Sequence, residues 1–310
     1  MKAQLTKRVA ASSLVTLPAL LLGLLAGTAH SQIFVNYGNG IGEFNLDGTT
    51  VNTALVTGLN TPQGIAISGN NLFVANDGSG TVGEYTAAGI AVNVSLIPGL
   101  SKGVDGIAIS GDKIFLANYQ SGTIGEYTTS GATMNASLIS GLSGPVGVAI
   151  SGNNLFVANS KGTGPETVGE YSTSGVVVNA SLISGLHSPA GVAISGNNVF
   201  VSSFEGGTVG EYTTSGTTIN ASFLSGFSHP NGIAIYGNDL FVLDAGNGTV
   251  GEYSTSGATV NASLFSVGSN LGYEPFGIVV VPEPSASVLA AWGFWLFFGC
   301  FYKASKNRKS

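Results

Sequence analysis

Pro62-Gln63-Gly64-Ile65-Ala66-Ile67-Ser68-Gly69-Asn70-Asn71-Leu72-Phe73-Val74-Ala75-Asn76, continued by Thr81-Val82-Gly83-Glu84-Tyr85 and Val92-Asn93-Val94-Ser95-Leu96-Ile97, is the stretch on which the fold turns. It holds four short apolar or alternating runs separated by Gly, Asn and Ser, with no segment of helical period. We read them as strands A (Ile65-Ala66-Ile67), B (Leu72-Phe73-Val74-Ala75), C (Thr81 to Tyr85) and D (Val92 to Ile97). Strand B is apolar on both alternating faces, so both sides of its sheet need cover, and a neighbouring copy of the unit supplies it.

The unit recurs. Gly-Glu-aromatic stands at Gly42-Glu43-Phe44, Gly83-Glu84-Tyr85, Gly125-Glu126-Tyr127, Gly169-Glu170-Tyr171, Gly210-Glu211-Tyr212 and Gly251-Glu252-Tyr253, at spacings of 41, 42, 44, 41 and 41. The strand A signature repeats with it, from Gly64-Ile65-Ala66-Ile67 to Gly277-Ile278-Val279-Val280. A four-stranded unit of roughly 40–45 residues has the period of a propeller blade, whereas leucine-rich solenoids repeat in about 20–29. The chain enters in strand B at Ile33-Phe34-Val35 and leaves in strand A at Gly277-Ile278-Val279-Val280, so the last strand completes the first blade. The expected fold is all-β: a six-bladed β-propeller over 32–281, its ring closed by the C-terminal strand A and left without an open seam.

These repeats resemble the NHL-like and wider lactonase-like propeller group across roughly Ile33 to Val280. They lack the basic residue often found before strand C in that group, where this chain has Thr81, Thr123, Thr167, Thr208 and Thr249. The resemblance to RNA-binding members is weakened accordingly.

Charge points the same way. Charged residues are 8% of the chain, against roughly 25% in an average protein, and they are unevenly placed. Between Gln32 and Val281 three lysines face fifteen Asp and Glu residues, a formal charge of −12. Such a surface repels phosphate backbones and argues against nucleic acid as a partner.

The ends read as addresses. Residues 1–31 carry a cationic start (Lys2, Lys7, Arg8), an apolar run from Leu14 to Leu25 and a small-residue exit at Ala29-His30-Ser31, the layout of a secretory signal helix. Residues 282–310 order a Pro282-Glu283-Pro284 motif, an apolar stretch at 286–302 expected to be a transmembrane helix, and a basic end of Lys303, Lys306, Arg308 and Lys309. Seventeen helical residues reach roughly 25 Å, a little short of the hydrocarbon core of about 30 Å. The basic end should stay cytoplasmic, with the propeller outside. The tail resembles the PEP-CTERM sorting signal of exopolysaccharide-producing Gram-negative bacteria. That resemblance implies processing by an exosortase, release to the cell surface or the outside, and a polysaccharide or envelope partner. The lone cysteine, Cys300, lies in the apolar run, so no internal disulfide forms.

In such a propeller the A-to-B and C-to-D turns share one face, and here they are nearly uniform. Individuality concentrates in the D-to-A and B-to-C loops of the other face, where binding residues are expected: Gln63, Lys102, Asp105, His187, His229, Asn231 and Glu274 before strand A, and Asp77, Tyr119, Gln120, Lys161, Glu166, Phe204, Glu205 and Asp244 after strand B. The favoured binding face comprises Asp105, Tyr119, His187, Phe204, His229, Asn231 and Glu274. His187 and His229, in equivalent loops of adjacent blades, are a candidate pair. Asn76, Asn118, Asn159 and Asp244 share one position at the end of strand B. Related lactonases hold a divalent metal such as calcium with Glu, Asn and Asp around a channel mouth, although Asn and Asp also cap turns. The repeated Glu residues are expected to bond blade to blade. The five Asn-x-Ser tripeptides from Asn93 to Asn261 match a glycosylation pattern, yet their once-per-blade placement points to local turn geometry. A non-catalytic surface binding or scaffold module is the leading reading, a metal-dependent lactonase or lyase its alternative.

Overall fold

The computed structural model describes residues 31–160, 166–268 and 277–281. Among them are six four-stranded antiparallel sheets. Blade 1 holds β1 (Gln32–Tyr37), β2 (Gly40–Asn45) and β3 (Thr50–Thr57); blade 2, β4 (Pro62–Ser68), β5 (Asn71–Asn76), β6 (Thr81–Thr86) and β7 (Ala91–Ile97). Blade 3 is β8 (Val104–Ser110) to β11 (Thr133–Ile139), blade 4 β12 (Pro145–Ser151) to β15 (Val177–Ser184), blade 5 β16 (Pro189–Ser195) to β19 (Thr218–Ser225), and blade 6 β20 (Pro230–Tyr236) to β23 (Thr259–Ser266). The last strand, β24 (Ile278–Val281), pairs with β1 and completes blade 1, from Gln32↔Val281 to Val35↔Ile278. The sequence reading of the ring and of its closure is therefore borne out. The signal helix, the membrane helix and the Pro282-Glu283-Pro284 motif lie outside the described residues, and among those described no helix is long and apolar enough to cross a membrane.

The core is six clusters, one in each blade-to-blade interface. In each, a strand B phenylalanine (Phe34, Phe73, Phe115, Phe156, Phe200 or Phe241, all at most 2% exposed) packs on the aliphatic residues of the next blade's strand B. Phe73, for example, meets Ile114 and Leu116. This is why strand B is apolar on both faces. At the seam Phe44 replaces the repeated tyrosine and stacks on Phe265, ring centroids 4.0 Å apart, adding an aromatic contact where blade 6 meets blade 1.

The Gly-Glu-Tyr motif has a local cause. A Cβ on Gly83 would stand 2.9 Å from the Tyr85 ring, which folds back over the glycine. The glutamate does not bond blade to blade as expected; its partner is the first residue of strand B in its own blade. Asn71, Asn154 and Asn198 donate to Glu84, Glu170 and Glu211 at 2.6–2.7 Å, Gln32 donates to Glu43, and Lys113 pairs with Glu126 at 2.6 Å. The reason is strand pairing: Phe73 lies opposite Glu84, which puts Asn71 on the same face one pair along. In blade 6 the position is Asp239, so Glu252 faces a carboxylate.

The Asn-x-Ser repeats also resolve as geometry. Asn93, Asn135, Asn179, Asn220 and Asn261 each accept the amide of the serine two residues on, at 3.1–3.2 Å. Asn52 does the same for Ala54, where no glycosylation pattern exists. The bond recurs where the C-to-D ladder shifts register.

The inner strands β24, β4, β8, β12, β16 and β20 contact one another in sequence around the axis. They do so over glycine: an added Cβ would lie 2.4 Å from Asp105 O at Gly64, 2.0 Å from Val146 O at Gly106, 2.0 Å from Ala190 O at Gly147, 2.3 Å from Asn231 O at Gly191 and 2.5 Å from Gln63 O at Gly277.

Two outcomes follow from this packing. Gly147→Ala is expected to cost about 1–3 kcal/mol, more than Gly152→Ala, whose Cβ meets nothing within 4 Å and pays only for a φ of +57°; urea melts of the two variants compare them. Glu252 is held above the ordinary carboxylate range, first by burial and then by the charge of Asp239. Its contribution is full below the unfolded pKa and is lost as pH rises toward the native value. Asp239→Asn restores the amide donor and should stabilise by about 0.5–1.5 kcal/mol at pH 7, with the gain shrinking in melts run below pH 4.

Candidate functional site

Strand A of blades 2 to 6 begins with a bulge. In blade 2 the pairing jumps from Pro62↔Asn76 to Ile65↔Val74, so Gln63 and Gly64 together oppose Ala75. The same jump occurs at Val104/Ile107, Pro145/Val148, Pro189/Val192 and Pro230/Ile233. A bulge re-aims a side chain out of the pleat. Here it brings Gln63, Asp105, Val146, Ala190 and Asn231, the residue between Pro or Val and Gly in five successive repeats, to the wall of one cavity of about 340 Å³. Ser160, Ser188, Phe204 and Glu205 from the loops add to the lining.

The loops are tied down by a repeated bond. The carbonyl of the residue before strand A accepts the amide of the residue after strand B: Thr61 from Asp77, Gly103 from Tyr119, Gly144 from Ser160, Ser188 from Phe204 and His229 from Ala245, at 2.6–3.1 Å. Carboxylates reinforce it. Asp77 accepts from Gly103 N, and Glu166 accepts from Ser188 N at 2.9 Å. Thr61 and Ser188 hold left-handed backbone at φ +47° and +48°, a conformation usually left to glycine.

The wall is two-sided in chemistry. Val146, Ala190 and Phe204 are apolar, while Gln63, Asp105, Glu205 and Asn231 are polar. Asn231 is 4% exposed, and among the described residues neither its Nδ2 nor the buried Oε1 of Gln63 has a hydrogen-bond partner. Their backbones are fixed from the blades behind: Asn36 Nδ2 donates to Gln63 O at 2.9 Å and Ser202 Oγ to Asn231 O at 2.6 Å. Burial, and then the charge of Asp77, push the Asp105 carboxyl up to about 7.

Of the sequence candidates, the structure thus brings Gln63, Asp105, Phe204, Glu205 and Asn231 together. Tyr119 is joined to the mouth loops through its amide. Both histidines lie against the loop that follows strand B of blade 5. His229 lies tilted against Phe204 with ring centroids 4.6 Å apart, and His187 lies beside Gly206. Glu274 and Lys161 lie outside the described residues.

Asn76, Asn118, Asn159 and Asp244 are buried and are not among the residues lining the mouth cavity. Asn118 and Asn159 donate to Thr123 and Thr167 of their own blades at 3.4 Å. Asn76 lines a separate groove of about 530 Å³ beside β3. Asp244 accepts the amides of Ser228 and His229 and the side chain of Asn247 at 2.7–2.9 Å, which braces a loop. Among the described residues, no three His, Cys, Asp or Glu side chains gather as a metal set. The residues that the sequence reading missed are Val146, Ala190, Ser160 and Ser188; the variable residue before the strand A glycine was the signal that could have found the first two.

The fold and this mouth define a six-bladed β-propeller. No protein-family model matches the chain, and no curated protein matches it. Among solved structures it is similar to a chain of the nidogen/laminin complex, with a TM-score of 0.71 and 15% identity over 82% of this chain and 100% of that one. It is also similar to a gluconolactonase from Xanthomonas campestris (TM-score 0.57, 14% identity, 66% of this chain and 76% of that one) and to a streptogramin B lyase (0.54, 15%, 82% and 74%). At these identities the likeness is one of fold.

Asp105→Asn gives a direct test of the site's electrostatics. A raised carboxyl contributes most to stability below its unfolded pKa and loses that contribution as pH climbs toward about 7. The wild-type melting temperature should therefore fall between pH 5 and pH 8, by the equivalent of roughly 2–4 kcal/mol, and the variant should show a flatter profile.

Proposed function

We propose that this chain is an exported, exosortase-sorted surface propeller that binds a small polar ligand, or the end of a glycan, in its mouth cavity without transforming it. One observation carries the binding: a cavity of about 340 Å³ in which buried, unpartnered amide atoms of Gln63 and Asn231 stand beside an apolar wall. Buried polar atoms without partners are costly, and a ligand that supplies one donor and one acceptor offsets that cost. Hydrophobic lining with a few oriented polar groups is the usual make-up of a small-molecule site.

Export rests on the secretory layout of residues 1–31 and on the motif, apolar stretch 286–302 and basic end of residues 282–310. These support an exosortase-type processing enzyme as a partner, membrane anchoring through 286–302 until processing, and a final place at the cell surface or outside it, in the exopolysaccharide matrix or against an envelope protein. The charge of the propeller opposes nucleic acid.

A second reading, a metal-dependent lactonase or lyase, is favoured by Asp105. A carboxyl near 7 suits general acid or base work, and Glu205 lines the same cavity. Calorimetric titration of the full chain with neutral and charged monosaccharides should show binding that Asn231→Leu weakens at least tenfold. Turnover of a lactone, supported by calcium and lost in Asp105→Asn, would instead establish the enzyme.

A further inference from the structure

The mouth cavity has a charge preference. Two carboxyl side chains, Asp105 and Glu205, line it, and among the described lining residues there is no Lys, Arg or His. Around it the propeller carries a formal charge of −12 between Gln32 and Val281, which draws cations toward the mouth and holds anions off. A neutral ligand leaves the charge of the half-buried Asp105 unanswered. An ammonium answers it.

A second feature is independent of the acids. Asn231 is 4% exposed, lines the cavity and keeps an Nδ2 donor with no partner among the described residues. Its backbone carbonyl is anchored by Ser202, so the donor is presented from a fixed position. Gln63 presents a buried free acceptor in the same cavity.

We propose that the mouth cavity takes a small organic cation, a primary ammonium on a short polyol or amino-sugar frame, with the ammonium against Asp105 and a ligand oxygen against Asn231 Nδ2. The proposal rests on the cavity-binding reading above and adds the ligand class. It also implies a proton linkage. Burial and the charge of Asp77 raise the Asp105 carboxyl to about 7, so below that pH the ammonium must displace a proton to form the ion pair. Glu205 lines the cavity with Asp105; Lys102 is exposed in the loop before Asp105, and His187 and His229 belong to the mouth loops and do not line the cavity.

The test is calorimetric titration of the full chain in detergent with three six-carbon probes that differ at one end: glucamine (ammonium), sorbitol (hydroxyl) and gluconate (carboxylate). Glucamine is expected to bind at least tenfold more tightly than sorbitol at pH 7.5, and gluconate more weakly still. Its affinity should rise about tenfold per pH unit from pH 5 to pH 7 and then level off. Asp105→Asn should flatten that profile, Glu205→Gln should weaken binding without flattening it, and Ala190→Phe should block the cavity while leaving the melting temperature close to that of the parent. Sorbitol or gluconate binding as well as glucamine, with a flat pH profile and loss in Ala190→Phe, would overturn the cation proposal and leave the cavity reading standing. Binding that Ala190→Phe does not touch, or no binding of any of the three, would overturn both.

Discussion

The contact on which this molecule depends is the approach of an inner-strand glycine to the backbone carbonyl of the next blade. At Gly106 and Gly147 even a methyl group would stand 2.0 Å from a carbonyl oxygen, well inside van der Waals distance. With five inner strands brought in this way, six blades close into a ring, the strand B phenylalanines reach across to their neighbours, and β24 arrives beside β1 to seal it. The glycine and the bulge are parts of one device. The bulge places two residues opposite one, the second of them takes the close approach, and the first is turned toward the axis.

That device separates backbone packing from side-chain choice. The residue ahead of each glycine gives its backbone carbonyl to the blade contact, which any side chain allows, so Gln63, Asp105, Val146, Ala190 and Asn231 differ in chemistry at equivalent positions. Residues one layer back carry the structural load. Asn36 and Ser202 hold the carbonyls of the ring residues, and Asp77, Glu166 and Asp244 hold loop amides. Asp105 and Glu252, each raised by burial and then by a neighbouring carboxylate, are two places where the protein's stability responds to pH.

Much of the fold was legible because a repeat restates its own pattern. Six copies of Gly-Glu-aromatic exposed the blade period, and the strand B start with the strand A finish exposed the closure. The asparagines of Asn-x-Ser were legible as turn elements for the same reason, and Asn52, whose tripeptide ends in alanine, makes the bond without the pattern. Partner choice was less legible. Repetition shows that Glu84 and its equivalents have a role, but strand register decides that they face Asn71 of their own blade instead of the next one. Likewise Asn118 and Asn159 share a position that looks like a rim, yet strand pairing turns their amides onto threonines of their own blades.

The sequence by itself determined the architecture, the closure and the face that diverges, because alternation, turn residues and spacing are local properties that recur with every copy. Only the tertiary structure decided which divergent residues meet. The mouth collects Gln63 and Asn231, 168 positions apart in the chain, because the bulge and the inner-strand contact turn one residue per blade toward a common axis. It also sets His229 of the blade 6 loop against Phe204 of blade 5, a contact between blades that no single repeat records.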